Sequence, residues 1–228
     1  MPLGETRVLI LAGGASRRMG ADKADVRLGG RTLLERACAC AGGTGYPVVL
    51  AGRERLTDGL PPGIEHCADG PGEGPVAGLL GGASRWPGAS WVLIACDLPL
   101  LTPELLLRLT ELANSHPAAC AVVPRAAGRL HPLSAWYGPP MIDRLRRHAR
   151  AGRFGLTEAL GSRPSVDASA TGEDPVLFAG AGLLRRSRAE LADELLNCNR
   201  PEDLLRAREI LHRRQDDALH LRHPRPDE

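Results

Sequence analysis

The sequence predicts an α/β domain with a mostly parallel central sheet and helices on both faces. Two observations predict it. Apolar runs of strand length alternate with helical patterns from the N-terminus onward, as parallel strands and their crossover helices require. The glycine-bearing loop Leu11 to Lys23 also follows the first strand directly, the place where an open parallel sheet gathers its ligands. The 228 residues suit one large domain, since α/β domains run to roughly 200 to 250 residues. We place that domain at residues 1–214, with residues 215–228 as a disordered C-terminal tail.

The elements read in order. Val8 to Ala12 is the first strand, a helix follows near Thr32 to Ala41, and Pro47 to Ala51 completes a β-α-β start. Further strands are predicted at Gly63 to Cys67, Ser90 to Cys96 and Ala118 to Val123, with helices near Val76 to Arg85 and Pro103 to Ser115. The second of these helices has the clearest start: Thr102 can cap, Pro103 suits the first helical position, and Glu104 is an acid at the positive end of the dipole. Beyond residue 125 come a short strand at Leu130 to Tyr137, a helix near Pro140 to Arg150, and a segment at Leu156 to Leu160. Ser165 to Gly182 has no clear period and reads as an irregular insertion. Leu195 to Cys198 is strand-like and leads into a helix from Pro201 to about Arg214.

Composition excludes several classes. A formal charge of +2 gives no polybasic surface for nucleic acid or anionic membrane. No apolar run is long enough to span a bilayer or serve as a secretory core, so a cytoplasmic location is expected. The six cysteines do not form a small-secreted disulfide framework. Cys38 and Cys40 stand two apart on a predicted helix, where they point to different faces, which argues against a metal-ligand pair. Of 29 basic residues, 28 are arginine and one is Lys23; the only asparagines are Asn114, Asn197 and Asn199. Lysine and asparagine are therefore informative where they occur.

Leu11 to Lys23 is the first candidate site. Gly13 and Gly14 let backbone amides approach phosphate oxygens, while Arg17, Arg18 and Lys23 supply positive charge. The spacing is neither a Walker loop nor a dinucleotide fingerprint. An ammonium acts as a point charge between phosphates where a guanidinium fits differently, and that gives the lone lysine a reason. The second candidate is Asp97, at the end of an apolar strand and before Pro99; Mg²⁺ is commonly held by one or two carboxylates with substrate phosphates. Asp69 opens a glycine- and proline-rich turn, Asp69 to Gly78, that leads into a helix. In Asn197-Cys198-Asn199, Asn199 is placed to cap the next helix, while Asn197 is a carboxamide suited to a polar substrate. His131 reads as structural.

Taken in order, Leu-Ala-Gly-Gly-x-Ser-Arg-Arg-Met-Gly-x-Asp-Lys, Gly-Pro-x-Ala-Gly, Cys-Asp-x-Pro, His-Pro-Leu and Asn-x-Asn-x-Pro-Glu-Asp resemble the molybdenum cofactor guanylyltransferases of the MobA type, over residues 7 to about 205. The resemblance implies a Rossmann-like three-layer αβα fold and an Mg²⁺-dependent transfer of GMP from GTP to molybdopterin phosphate. A CTP-dependent cytidylyltransferase, or transfer to another phosphorylated acceptor, is the alternative. By position, Leu11, Ala12, Gly13, Gly14, Lys23, Asp69 and Asp97 would serve GTP, with Asp97 on the metal. Lys23, Asp97 and Arg17 would be catalytic, and Asn197 and Asn199, with Arg17, would face molybdopterin. Partners implied are these two substrates, other cofactor-assembly proteins and the receiving apoenzyme. The chain departs from the family pattern at Ala51, where an asparagine is expected, and at Arg200, where threonine is usual.

Overall fold

The apolar run Val8 to Ala12 gives β1 (Thr6–Leu11) an interior place in the sheet. The computed structural model describes residues 5–12, 23–52, 61–161 and 175–222. After a 3-10 turn at Lys23–Asp25, a two-residue hairpin, β2 (Arg27–Leu28) and β3 (Arg31–Thr32), feeds α1 (Leu33–Gly42). The start of α1 is a capping box: Thr32 Oγ1 accepts from the Glu35 amide at 3.0 Å, and Glu35 Oε2 accepts from the Thr32 amide at 2.6 Å, satisfying two amides that the helix itself cannot. Then come β4 (Val48–Ala51), β5 (Glu65–Cys67), α2 (Gly74–Arg85), β6 (Ser90–Ala95) and α3 (Pro103–Ser115). The expected cap of α3 is present, with Thr102 Oγ1 accepting from the Leu105 amide at 3.3 Å.

The second half is β7 (Ala121–Ala126), β8 (Arg129–Leu130), β9 (Ser134–Tyr137), α4 (Pro139–Arg150), α5 (Leu156–Leu160), β10 (Val176–Ala179), α6 (Arg188–Glu194) and α7 (Pro201–Arg222). The main strand order is β10-β7-β9-β6-β1-β4-β5, with β8 paired to β7. On this path β9 alone runs against the others, antiparallel to both β6 and β7. The fold is an α/β fold of Rossmann-like build, a mostly parallel sheet with helices on both faces.

Alternation along the strands sends side chains to two faces. Val8, Ile10, Val92 and Ile94 pack under α1, α3 and α6; Leu9, Trp91 and Leu93 pack under α2, α4 and α5. A third cluster, Leu28, Leu33, Leu100, Cys198, Ala207 and Ile210, fastens α7 to the hairpin and to the loop after β6.

Four expectations need correction. Val176 to Ala179, read as part of an irregular insertion, is β10, because its short apolar run pairs in parallel with β7. Leu195 to Cys198 is not a strand: the Leu195 and Leu196 amides donate backward to Leu191 and Asp193, and the Cys198 amide donates to Asp97, which leaves no ladder. The strand expected at Leu130 to Tyr137 is split at His131–Leu133, where Pro132 lacks an amide to donate. The final helix continues to Arg222, beyond both Arg214 and the start of the expected tail, because no proline interrupts it between Pro201 and Pro224. Among the described residues, no helix is long and apolar enough to cross a membrane.

Candidate active site

Strand order defines the site. From β1 the chain builds outward to β4 and β5, then returns to lay β6 on the other flank of β1. The carboxyl ends of β1 and β6 thus form a topological switch point, where helices diverge and leave a crevice. In register, Leu11 faces Ala51 on β4 and Ala95 on β6. The Ala12 amide donates to the Ala51 carbonyl at 3.1 Å, and the Cys96 amide to the Leu11 carbonyl at 3.3 Å. Leu11, Ala12 and Asp97 are thereby brought to one edge.

Gly13, Gly14 and Arg17 lie outside the described residues, and Lys23 is described by its backbone alone. Lys23 begins the 3-10 turn whose Ala24 is fully buried in the cluster that also holds Ala12, Cys96 and Leu98. The chain that leaves at Ala12 therefore returns to the same edge.

Asp97 is half-buried. Its carbonyl accepts from the Cys198 amide at 2.8 Å, so the Asn197-Cys198-Asn199 segment is docked on it from far along the chain. Asn197 lines a cleft of about 670 Å³ together with Leu98, Arg129, His131, Asn199 and Arg206. Its Oδ1 is buried and has no hydrogen-bond partner among the described residues. A buried acceptor left unmatched costs about 1–3 kcal/mol, and a ligand donor in the cleft would remove that cost.

The entry to the next helix is held by a carboxylate as well. Asp203 Oδ2 accepts from the Asn199 and Arg200 amides, each at 2.9 Å, so Asp203 holds the N-terminus of α7 while Asn199 lines the cleft. His131, read as structural, also lines it; burial, then the neighbouring Arg129 charge, holds its imidazole below the usual range. Arg129 and Arg206 were missed, because arginine is so common in this chain that neither stands out.

Asp69 is exposed at the same edge, beyond β5. Three strand spacings of ~4.8 Å separate β5 from β6, about 14 Å, so Asp69 and Asp97 leave the sheet from well-separated strands. Glycine positions this turn. The Gly70 amide donates to the Ala77 carbonyl at 2.8 Å, and a Cβ on Gly81 would lie 2.0 Å from the Ala68 carbonyl oxygen. A Cβ on Gly78 would lie 2.6 Å from Leu11 Cδ2, so glycine there lets α2 approach the end of β1.

Among the described residues, no three of His, Cys, Asp and Glu converge as a metal-holding group. Cys38 and Cys40 are both buried in one large apolar cluster, with Glu35 near the first and Glu104 and Glu194 near the second. Burial, with Glu35 next, pushes the Cys38 thiol up to about 11; burial, with Glu104 and Glu194 next, pushes Cys40 up to about 12.

Residues 8–166 match the family described as MobA-like NTP transferase domain. A molybdenum cofactor guanylyltransferase from Sinorhizobium fredii is 33% identical over 224 residues, covering 95% of this chain and 96% of the relative. A probable molybdenum cofactor guanylyltransferase from Natronomonas pharaonis is 34% identical over 218 residues, covering 92% and 100%. Among solved structures, molybdopterin-guanine dinucleotide biosynthesis protein A from Archaeoglobus fulgidus superposes with a TM-score of 0.71 at 26% identity, covering 91% of this chain and 99% of that one. The 2-C-methyl-D-erythritol 4-phosphate cytidylyltransferase from Thermus thermophilus, at 20% identity, TM-score 0.61 and coverage of 90% and 98%, shares the fold.

Proposed function

This chain belongs to the MobA-like NTP transferase family, and from that premise we propose that it transfers GMP from GTP to the phosphate of molybdopterin, releasing pyrophosphate and forming the guanine dinucleotide. The observation that carries the reading is the joining of two halves at one edge: Asp97 beside the end of β1, and Asn197 docked on it through the 2.8 Å bond between Cys198 and Asp97. A nucleotidyl transfer needs that pairing, because two substrates must meet in line.

In this reading an oxygen of the acceptor phosphate forms a bond to the α-phosphorus of GTP. The bond from that phosphorus to its bridging oxygen breaks, and pyrophosphate leaves with the electron pair. No protein nucleophile is required; the chain contributes positioning and charge. Asp97 fits Mg²⁺ as a hard carboxylate donor at the switch point, completed by substrate phosphates rather than by further side chains. Bound there, the ion would neutralise phosphate charge. Lys23 is assigned to the phosphates, Leu11 to Gly14 to the base and ribose side, Asp69 to the nucleotide, and Arg17, Asn197 and Asn199 to the acceptor. The Asn197 Oδ1, unmatched among the described residues, supports the last assignment.

Pyrophosphate release tests the nucleotide. With molybdopterin and Mg²⁺ present, GTP should be used in preference to CTP and ATP. Equal or faster release with CTP would move the protein to the cytidylyl branch.

A further inference from the structure

Glu194 is 3% exposed, and a carboxylate so deep needs partners. Arg186 Nε donates to its Oε1 at 3.3 Å and to Oε2 at 3.1 Å. The Thr102 hydroxyl donates to Oε1 at 2.5 Å while accepting from the Leu105 amide at 3.3 Å. Thr102 is thus both the cap of α3 and one end of a bond that spans 92 residues of sequence.

The bond's location gives it a role at the site. Thr102 follows Asp97 in the loop after β6, and Glu194 ends the helix that leads directly into Asn197. Nearer the edge, the Cys198 amide is tied to the Asp97 carbonyl at 2.8 Å. Behind them, Arg214 Nη1 donates to the Leu100 carbonyl at 3.0 Å. The loop 97–102 is therefore gripped at Asp97, Leu100 and Thr102 by Cys198, Arg214 and Glu194, all from a C-terminal segment that lies beyond the matched residues 8–166.

We propose that Glu194 is a positioning residue: through Thr102 it latches the Asn197 segment to the Asp97 loop and so sets the spacing between the acceptor and nucleotide halves of the site. The inference rests on the proposed reaction, in which Asp97 and Asn197 address different substrates. Packing alone would hold the two segments near each other, but an apolar contact has no preferred direction. A short bond to a buried carboxylate fixes distance and angle.

The test is Thr102→Val, which keeps shape and loses the hydroxyl, beside Thr102→Ser, which keeps the hydroxyl. Thr32→Ala is the control, since it removes a comparable helix cap on α1 with no part in the latch. For Thr102→Val the latch predicts a molybdopterin KM raised about ten- to a hundredfold, the scale on which small misplacements act, with GTP affinity unchanged. It also predicts faster hydrogen exchange over residues 195–199. Thr102→Ser should behave as wild type, and Thr32→Ala should lower the melting temperature while leaving the molybdopterin KM and that exchange alone. If Thr102→Val does not fold, Glu194→Leu takes its place, because it removes the acceptor of the Thr102 hydroxyl and leaves the α3 cap intact. An acceptor KM and an exchange rate in Thr102→Val no different from Thr32→Ala would overturn the latch. So would equal loss of affinity for both substrates. Should wild type form no dinucleotide, the proposed reaction fails, and exchange over 195–199 alone decides the latch.

Discussion

A carboxylate, an ammonium and a carboxamide carry the proposed chemistry, and each makes a separate prediction. Asp97→Asn should abolish turnover while leaving the fold intact, because a neutral amide is a much poorer Mg²⁺ ligand; near-normal activity in saturating Mg²⁺, with circular dichroism confirming the fold, would reject the metal assignment. Lys23→Arg should lower kcat/KM even though charge is kept. Loss of one donor to a developing charge costs about 2.7–4 kcal/mol, and a planar, larger guanidinium should cost somewhat less than that; steady-state kinetics beside Lys23→Ala reads the difference. Asn197→Ala should weaken use of molybdopterin more than binding of GTP, which titration of each substrate separately will show. Asp97 and Asn197 stand out in the sequence for opposite reasons. Asp97 stands at the end of an uninterrupted apolar strand, and Asn197 is one of three asparagines. That they are neighbours was not legible, since a backbone bond through Cys198 leaves no trace in residue types. Glu194 was hidden among 27 acids; only its burial and its bond to Thr102 distinguish it.

At the scale of elements, glycines govern how closely α2 approaches the nucleotide edge. Gly81→Ala sets two effects against each other. Helix propensity favours alanine by about 1 kcal/mol, but the new Cβ would stand 2.0 Å from the Ala68 carbonyl oxygen, a backbone atom that no rotamer change can move. Overpacking of that kind costs about 1–3 kcal/mol, so the clash should win. The expected outcome is a lower urea midpoint together with a raised KM for GTP, because the Asp69 turn must shift; a stabilised protein with unchanged KM would show that the turn is free to move. Continuous apolar runs made β1 and β6 legible, and the capping Thr102 followed by proline made the start of α3 at Pro103 legible. By contrast, β10 has four residues inside a stretch of small and acidic ones, and its existence depends on the β7 edge. Likewise α6 owes its start to a capping box on Ser187 and Glu190, with Glu190 Oε2 accepting from the Ser187 amide at 2.7 Å. Those two residues look unremarkable in a polar segment.

Across the whole molecule, alkaline stability should report how the core holds its thiols. Burial raises Cys38 and Cys67 to about 11 and Cys40 to about 12, from an ordinary 9.0, and drives Tyr137 well above the usual tyrosine range. A folded-state pKa raised above the unfolded one means that the folded chain holds more protons between the two values. Its contribution to stability is therefore intact below pH 9 and declines as pH rises toward 11 to 12. With a single lysine in the chain, little other side-chain titration should mask the effect. The urea midpoint should fall between pH 8 and pH 10; a flat profile would mean the thiols ionise as readily folded as unfolded. The larger claim is that this whole sheet edge, from Leu11 to Asn197, serves one transfer reaction with two substrates. Its most direct measurement is the mass of the product formed from molybdopterin, Mg²⁺ and GTP by the intact chain. The account predicts a species heavier than molybdopterin by one guanylyl group, with pyrophosphate in equal amount; recovery of unmodified molybdopterin, or of a product carrying a different nucleotide when all are supplied, would contradict it.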